Sequence, residues 1–358
     1  LLAVHVEEAD GGAVLRHHVH RLALAQGDDP VEVDGLTGTV DGTVGKVSEA
    51  EQAELICALQ AATNVVLPSP KKFFVAIKPD MTDATEVVSV DVDQLPGKRS
   101  KPAQPHAVAI AIGVGAFRDP AMPTMKLAAH DAEVMSGYFT SVMGIPAQKV
   151  KVALDAKGLK DDWIEVFEQW LPKQGGPHTM AYVYVAGRAI VDHDTGAVSL
   201  LPYDATVSGS TRAFSLARLQ RALANAPVKQ AVVMLDLSLE PSSGSDPARV
   251  AAPRWVSQDS NGEQERVMLM VGNSTLQEAQ AYQPGQHGLF TYFLLKGLRG
   301  AADLDKNGSV LTGELCAYVK KHVTSMGRSA LGDTQQPLCV PDAGEASPLR
   351  QLRLTTSP

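Results

Sequence analysis

Two rhythms of hydrophobic residues divide the chain. Up to about residue 95, short apolar stretches are broken by turn residues. Residues 3–7 and 13–25 flank Asp10-Gly11-Gly12, which predicts a hairpin. Glycines at 35, 38, 42 and 45 suit short strands and turns over 36–47. Residues 48–63 read as a helix, with Ser48 as cap and Glu51 at the capping-box position. Residues 73–77 and 87–92 read as strands. The Pro- and Lys-rich stretch 94–106 has no apolar periodicity and reads as a linker, placed at 96–106. Beyond it the rhythm changes. The continuous apolar run 107–112 is that of a strand buried on both faces, and 150–154, 180–185, 231–235 and 267–271 read as further strands. Helical patterns at 126–143, 161–171, 215–224, 289–298 and 313–323 alternate with them. The expected fold is α/β, a mainly parallel sheet with helices on both faces, preceded by a smaller β-rich domain. The expected boundaries are 1–95, a linker at 96–106, an α/β domain at 107–325, and a C-terminal loop and strand at 326–358.

Composition narrows this picture. The chain has 358 residues, 44% of them hydrophobic, enough for two or three domains. It holds no apolar run of transmembrane length. A net charge of −8 argues against a nucleic-acid partner. Residues 1–105 carry 9 basic and 16 acidic side chains, so the N-terminal part is the acidic one. Of the three cysteines, Cys57 lies in an apolar helical run and reads as a buried thiol. Cys316 and Cys339 can form one disulfide if the chain is exported. The start at Leu1-Leu2 suggests a processed or trimmed N-terminus.

In a parallel α/β sheet the site lies beyond the carboxyl ends of the strands, here 113–117, 186–194, 236–244 and 272–277. Motifs around these positions resemble bacterial caspase-domain proteins of the peptidase C14 clan. They are the strand 107–117 (AVAIAIGVGAF), Leu127 with Asp131-Ala132, the strand 182–187, Leu201-Pro202-Tyr203-Asp204, the strand 232–236, and Gln286-His287-Gly288-Leu289-Phe290-Thr291-Tyr292. Together they span about 105–325. The resemblance implies a caspase-like fold and a cysteine peptidase ancestry.

The resemblance places the catalytic histidine in Gly-His-Gly, where this chain has Gly187-Arg188-Ala189. It places the nucleophile in Asp-x-Cys-His-Ser-Gly, where this chain has Asp236-Leu237-Ser238-Leu239-Glu240. A thiol near neutral pH is partly thiolate, and an imidazole raises that fraction. A serine hydroxyl needs a general base. Arginine stays protonated and cannot be that base. Arg188 and Ser238, with Asp236, therefore read as vestigial positions, and no intact catalytic residue is expected. Arg188 can pair with Glu240 or Asp236 and plug the old cleft, or point outward to an anionic partner. The alternative is an active endopeptidase or serine hydrolase using Ser238 with a non-standard base such as His193, which lies between Asp192 and Asp194.

The stretch Asp303 to Glu314 fits an EF-hand loop. Asp303, Asp305 and Asn307 take positions 1, 3 and 5, Gly308 takes 6, and Val310 takes 8. Glu314 takes position 12. The Ser309 carbonyl would be the position-7 ligand and water would fill position 9. The expected metal ligands are Asp303, Asp305, Asn307, Ser309 and Glu314, and the expected ion is Ca2+. His18 and His20 share a strand face and with His5 could ligate zinc, but a solvated strand face accounts for them. Gly113-Val114-Gly115 lacks the remaining residues of a phosphate loop.

These readings combine into a catalytically inactive caspase-like protein. It would act as a binding, regulatory or structural module in a protein assembly and be stabilised by calcium. Its partners would be other protein subunits, in a homo- or hetero-oligomer, with no nucleic acid and no membrane span. A periplasmic or secreted location is the expectation from the N-terminus and the calcium-type loop, with the cytoplasm as the alternative.

Overall fold

A computed structural model describes residues 21–26, 29–34, 91–95, 103–207, 212–242, 250–256, 266–330, 335–342 and 347–356. The chain divides into two compact units, Leu1–Ser89 and Val90–Pro358.

In the first unit, β1 (Arg21–Gln26) pairs antiparallel with β2 (Asp29–Asp34). The register runs from Arg21 opposite Asp34 to Gln26 opposite Asp29. This hairpin lies C-terminal to the one expected around residues 10–12. The expected strands at 3–7, 36–47 and 73–77, the helix 48–63, Cys57 and the histidines at 5, 18 and 20 lie outside the described residues.

The second unit begins before the expected linker. Asp91 and Val92 form part of a turn, not the end of a strand. Val92 is wholly buried and its carbonyl accepts a hydrogen bond from the Tyr138 hydroxyl. Apolar Val92 thus has a core to enter, and that core fixes the segment. The far end of the expected linker is also docked: Gln104 donates to the Leu354 carbonyl and accepts from the Tyr182 hydroxyl.

The central sheet has the order β13-β9-β8-β5-β3-β4, with β6 and β7 attached beside β5. Its strands are β3 (Val108–Gly113), β4 (Val150–Leu154), β5 (Met180–Val191), β6 (Val198–Leu200), β7 (Phe214–Ser215), β8 (Gln230–Pro241), β9 (Val267–Val271) and β13 (Leu338–Val340). From β4 to β9 every pair in that order is parallel. The antiparallel additions are β6, β7 and β13. The mainly parallel sheet expected from the runs of apolar residues is therefore present.

Both faces of the sheet are covered. Along β5, Tyr182, Tyr184 and Ala186 enter one core and Ala181, Val183 and Val185 enter the other. This period of two explains why the strand reads as one unbroken apolar run. The first core is closed by helices α1 (Ala128–Ser141), α4 (Leu289–Lys296) and α5 (Thr312–Ala330). The second is closed by α2 (Lys160–Ile164), which continues helically to Gln174, and by α3 (Leu216–Asn225). Ser215 caps α3 by accepting from the Arg218 N–H, and the buried Leu216, Leu219 and Leu223 define its inner stripe. The small hairpin of β10 (Ala281–Tyr282) and β11 (His287–Gly288) leads into α4. Another small sheet pairs β12 (Ser309–Leu311) with β14 (Arg353–Thr356).

Two strands depart from expectation in a way that shapes the site. β5 and β8 each run about six residues further than their apolar runs. Residues expected in loops at 186–191 and 236–241 are paired strand instead. The register holds without a break from Met180↔Gln230 to Val191↔Pro241. Polar Arg188, Asp236 and Ser238 interrupt the hydrophobic pattern, but their backbones have ladder partners and their side chains have polar ones.

Candidate functional site

Arg188 and Ser238 are direct cross-strand neighbours on β5 and β8. Both are buried, at 4% and 3% exposure. The Ser238 hydroxyl accepts the Ala279 N–H at 3.0 Å and contacts the Met125 sulfur at 3.8 Å. No imidazole among the described residues hydrogen-bonds it. The hydroxyl is thus held by a backbone amide and a thioether, neither of which can take a proton from it at neutral pH.

The Arg188 guanidinium pairs with Glu240 and reaches Glu278 at 3.5 Å. Burial lowers the Arg188 pKa from its ordinary value, and the Glu278 carboxylate opposes that shift. Of the two partners expected, Glu240 is the one engaged. Asp236 faces a different neighbourhood. Its Oδ2 accepts from the Thr291 hydroxyl at 2.6 Å and from the Thr291 N–H at 3.3 Å.

His193 lies two residues beyond the end of β5 and pairs with Asp194 at 2.7 Å. About 10 Å of strand separates Arg188 from Val191 alone, at about 3.3 Å per residue. His193 therefore has a different partner and a different place from Ser238.

Sequence reasoning missed the polar cluster beneath this region. His287 is wholly buried between two carboxylates, with Nδ1 2.5 Å from Asp131 Oδ1 and Nε2 2.8 Å from Asp93 Oδ1. Asp131 Oδ2 also accepts the Gly288 N–H. Tyr184 shares a 2.6 Å hydrogen bond with Thr291, linking the cluster to Asp236. A Cβ on Gly288 would lie 2.4 Å from Asp236 Oδ2, so only glycine lets this carboxylate approach. Burial, then repulsion from Asp131, pushes the Asp236 carboxyl up to about 7. Burial also raises Asp131, despite its hydrogen bond to His287. Burial disfavours the His287 imidazolium, but Asp131 and Asp93 outweigh it and raise its pKa. The signals in sequence were the pair His130-Asp131 at the start of a helix and a histidine before glycine; neither shows which carboxylate meets which ring.

The calcium-type loop brings its acidic residues together. Asp303, Asp305 and Glu314 can each place a carboxylate oxygen within 4.8 Å of the others. Backbone amides hold them. Asp303 accepts from Asn307 and Gly308, Asp305 accepts from Asn307, and Glu314 accepts from Leu304 and Leu311. Asn307 Oδ1 accepts from the Ser309 N–H. Gly308 has φ 80°, the left-handed turn that position 6 of such a loop requires. Glu314 sits in the first turn of α5 and presents both oxygens to the loop. This donor set is all oxygen and suits a hard divalent cation. Cys316, two residues on, is disulfide-bonded to Cys339 and so joins α5 to β13.

Among solved structures, the chain is similar to a protein from Geobacter sulfurreducens, with 16% identity and a TM-score of 0.46 over 71% of this chain and 100% of that one. It is also similar to caspase-1 from Spodoptera frugiperda, with 14% identity and a TM-score of 0.46 over 69% of this chain and 92% of that one. No curated protein gives a significant match. The caspase-domain family of peptidase C14 matches residues 106–341, well over half of the chain and the whole span from β3 to β13, and the chain therefore belongs to the caspase-domain family.

Proposed function

We propose that this chain is a catalytically inactive caspase-like protein that works as a binding, regulatory or structural module. The observation that carries the reading is the setting of Ser238. The residue that stands at the nucleophile position is a serine, buried in paired strand, with a thioether and an amide as its neighbours. Its cross-strand neighbour is a cation paired with Glu240. Neither partner can generate an alkoxide, and Arg188 cannot shuttle a proton at neutral pH.

Calcium at Asp303, Asp305, Asn307, Ser309 and Glu314 would stabilise the entry to α5, which forms a wall of the core. The arrangement of carboxylates and amides supports this. The Cys316–Cys339 bond supports an oxidising, extracytoplasmic setting. Other protein subunits are the proposed partners, because a peptidase fold without turnover retains its surfaces for binding.

The deciding experiment measures turnover of fluorogenic peptides ending in Arg, Lys or Asp, with and without millimolar calcium, for the native chain and for Ser238→Ala. No turnover in either is the expected result. Turnover by the native chain that disappears in Ser238→Ala would replace this reading with a serine hydrolase.

A further inference from the structure

We propose that Asp93, His130 and His287 form a binding site for a zinc-class divalent ion, separate from the calcium-type loop. Three elements supply the ligands: the turn at 91–95, the first turn of α1, and β11. Their donor atoms lie within 4.8 Å of one another. His287 Nε2 is 2.8 Å from Asp93 Oδ1, and His130 Nε2 is 3.5 Å from Asp93 Oδ2. The two imidazoles are stacked, 4.9 Å between centroids at 18°, and both Nε2 atoms meet the Asp93 carboxylate. Bonds of about 2.0–2.1 Å place tetrahedral zinc ligands about 3.3 Å apart. The His130 contact is close to that spacing and the His287 contact is about half an ångström inside it; the two use different oxygens of Asp93, so a shared ion requires the carboxylate to turn one oxygen toward both rings.

The second observation is the support behind His287. Its Nδ1 is engaged by Asp131, a wholly buried carboxylate whose other oxygen is fixed by the Gly288 N–H. A carboxylate behind the distal nitrogen is what orients a ligating histidine and sets its tautomer. Nδ1 then carries the proton and Nε2 is left for the ion. Two imidazoles and one carboxylate select zinc over calcium or magnesium, which prefer oxygen. Three protein ligands leave one position for water. The side chains of His130 and Asp93 are 42% and 29% exposed, so an ion can enter from solvent. Binding would fasten the segment 91–95 onto α1 and β11. The rival state is a metal-free clasp in which an imidazolium at His287 bridges Asp131 and Asp93.

The test titrates cobalt(II), then zinc, into the full chain in the presence of excess calcium, which occupies the oxygen-rich loop. The expected result is one cobalt per chain, with the intense visible bands of a four-coordinate ion, displaced by zinc. His130→Ala removes a half-exposed ligand and should leave circular dichroism and the melting temperature in chelator unchanged. It should weaken zinc binding by at least about tenfold. Glu314→Gln should leave zinc affinity unchanged. Absence of cobalt bands in the native chain, or zinc affinity unaltered by His130→Ala, would overturn the site and leave the clasp.

Discussion

Arg188 and Ser238 face each other in unbroken register on β5 and β8, and each strand continues three residues beyond them. Residues that a cleft would present to a substrate are instead rungs of a buried ladder. On the proposed reading, supplying a Cys-His pair alone should therefore not create activity. The double variant Arg188→His, Ser238→Cys supplies an imidazole and a thiol but leaves both on paired strand. We expect no cleavage of the fluorogenic peptides by this variant, with circular dichroism confirming that it folds. Measurable turnover would show that the site opens in solution and that only the side chains had been lost.

The Arg188 pair should contribute to stability. Its guanidinium is 5% exposed and Glu240 is 35% exposed. Breaking a fully buried pair costs about 3–5 kcal/mol, and the partial exposure of Glu240 reduces this. Arg188→Ala should lower unfolding free energy by about 1–3 kcal/mol in urea melts. An unchanged midpoint would mean that the ion pair does not form and would favour an outward-facing Arg188.

The sheet was legible because its strands are apolar on both faces, as 107–112 and 267–271 show. The strand ends that carry Arg188 and Ser238 were marked by the motifs around them, and the spacing from Asp303 to Glu314 marked a loop whose carboxylates the fold brings together. The extension of β5 and β8 was not legible. Arg188, Asp236 and Ser238 break the hydrophobic run, and a polar residue reads as loop until its cross-strand partner is known. The Asp131–His287 contact joins residues 156 positions apart, and local periodicity carries no information at that range.

Calcium should raise the melting temperature of the native chain. The increment follows mass action, about 2.7 kcal/mol at a hundredfold excess over Kd. Glu314→Gln removes a carboxylate that two loop amides hold in place and should abolish most of the shift. Differential scanning calorimetry at several calcium concentrations reads both. Equal melting temperatures with calcium and with chelator would remove the ion from the account of this loop.

The Cys316–Cys339 bond closes a loop with a sequence separation of 23 and joins α5 to β13. Chain-entropy reasoning gives a stabilisation of about 3 kcal/mol for a loop of this size. The Cys316→Ser, Cys339→Ser variant should lose that amount in denaturant unfolding. Both positions are buried, so part of any loss reflects the exchange of sulfur for hydroxyl. The reduced native chain is the control: reduction should give most of the loss seen in the variant.

The buried acids set the direction of the pH dependence. Asp236 is pushed up to about 7 in the folded chain, from an unfolded carboxylate value near 4. Between these values the folded state binds more protons than the unfolded one, so stability falls as pH rises. For Asp236 alone the fall is at most about 4 kcal/mol, complete once pH exceeds the folded pKa. Asp131 and His287 are also raised, and each contributes a slope of the same sign. Tyr184 is raised too, but well above this range. Unfolding in chelator should therefore give a chain more stable at pH 5 than at pH 8. Asp236→Asn keeps an oxygen for Thr291 and cannot ionise, so the slope should flatten and stability at pH 8 should rise relative to the native chain. A native chain that gains stability from pH 5 to pH 8, or an Asp236→Asn variant with the native slope, would show that Asp236 ionises freely in the fold and that the cluster is open to water.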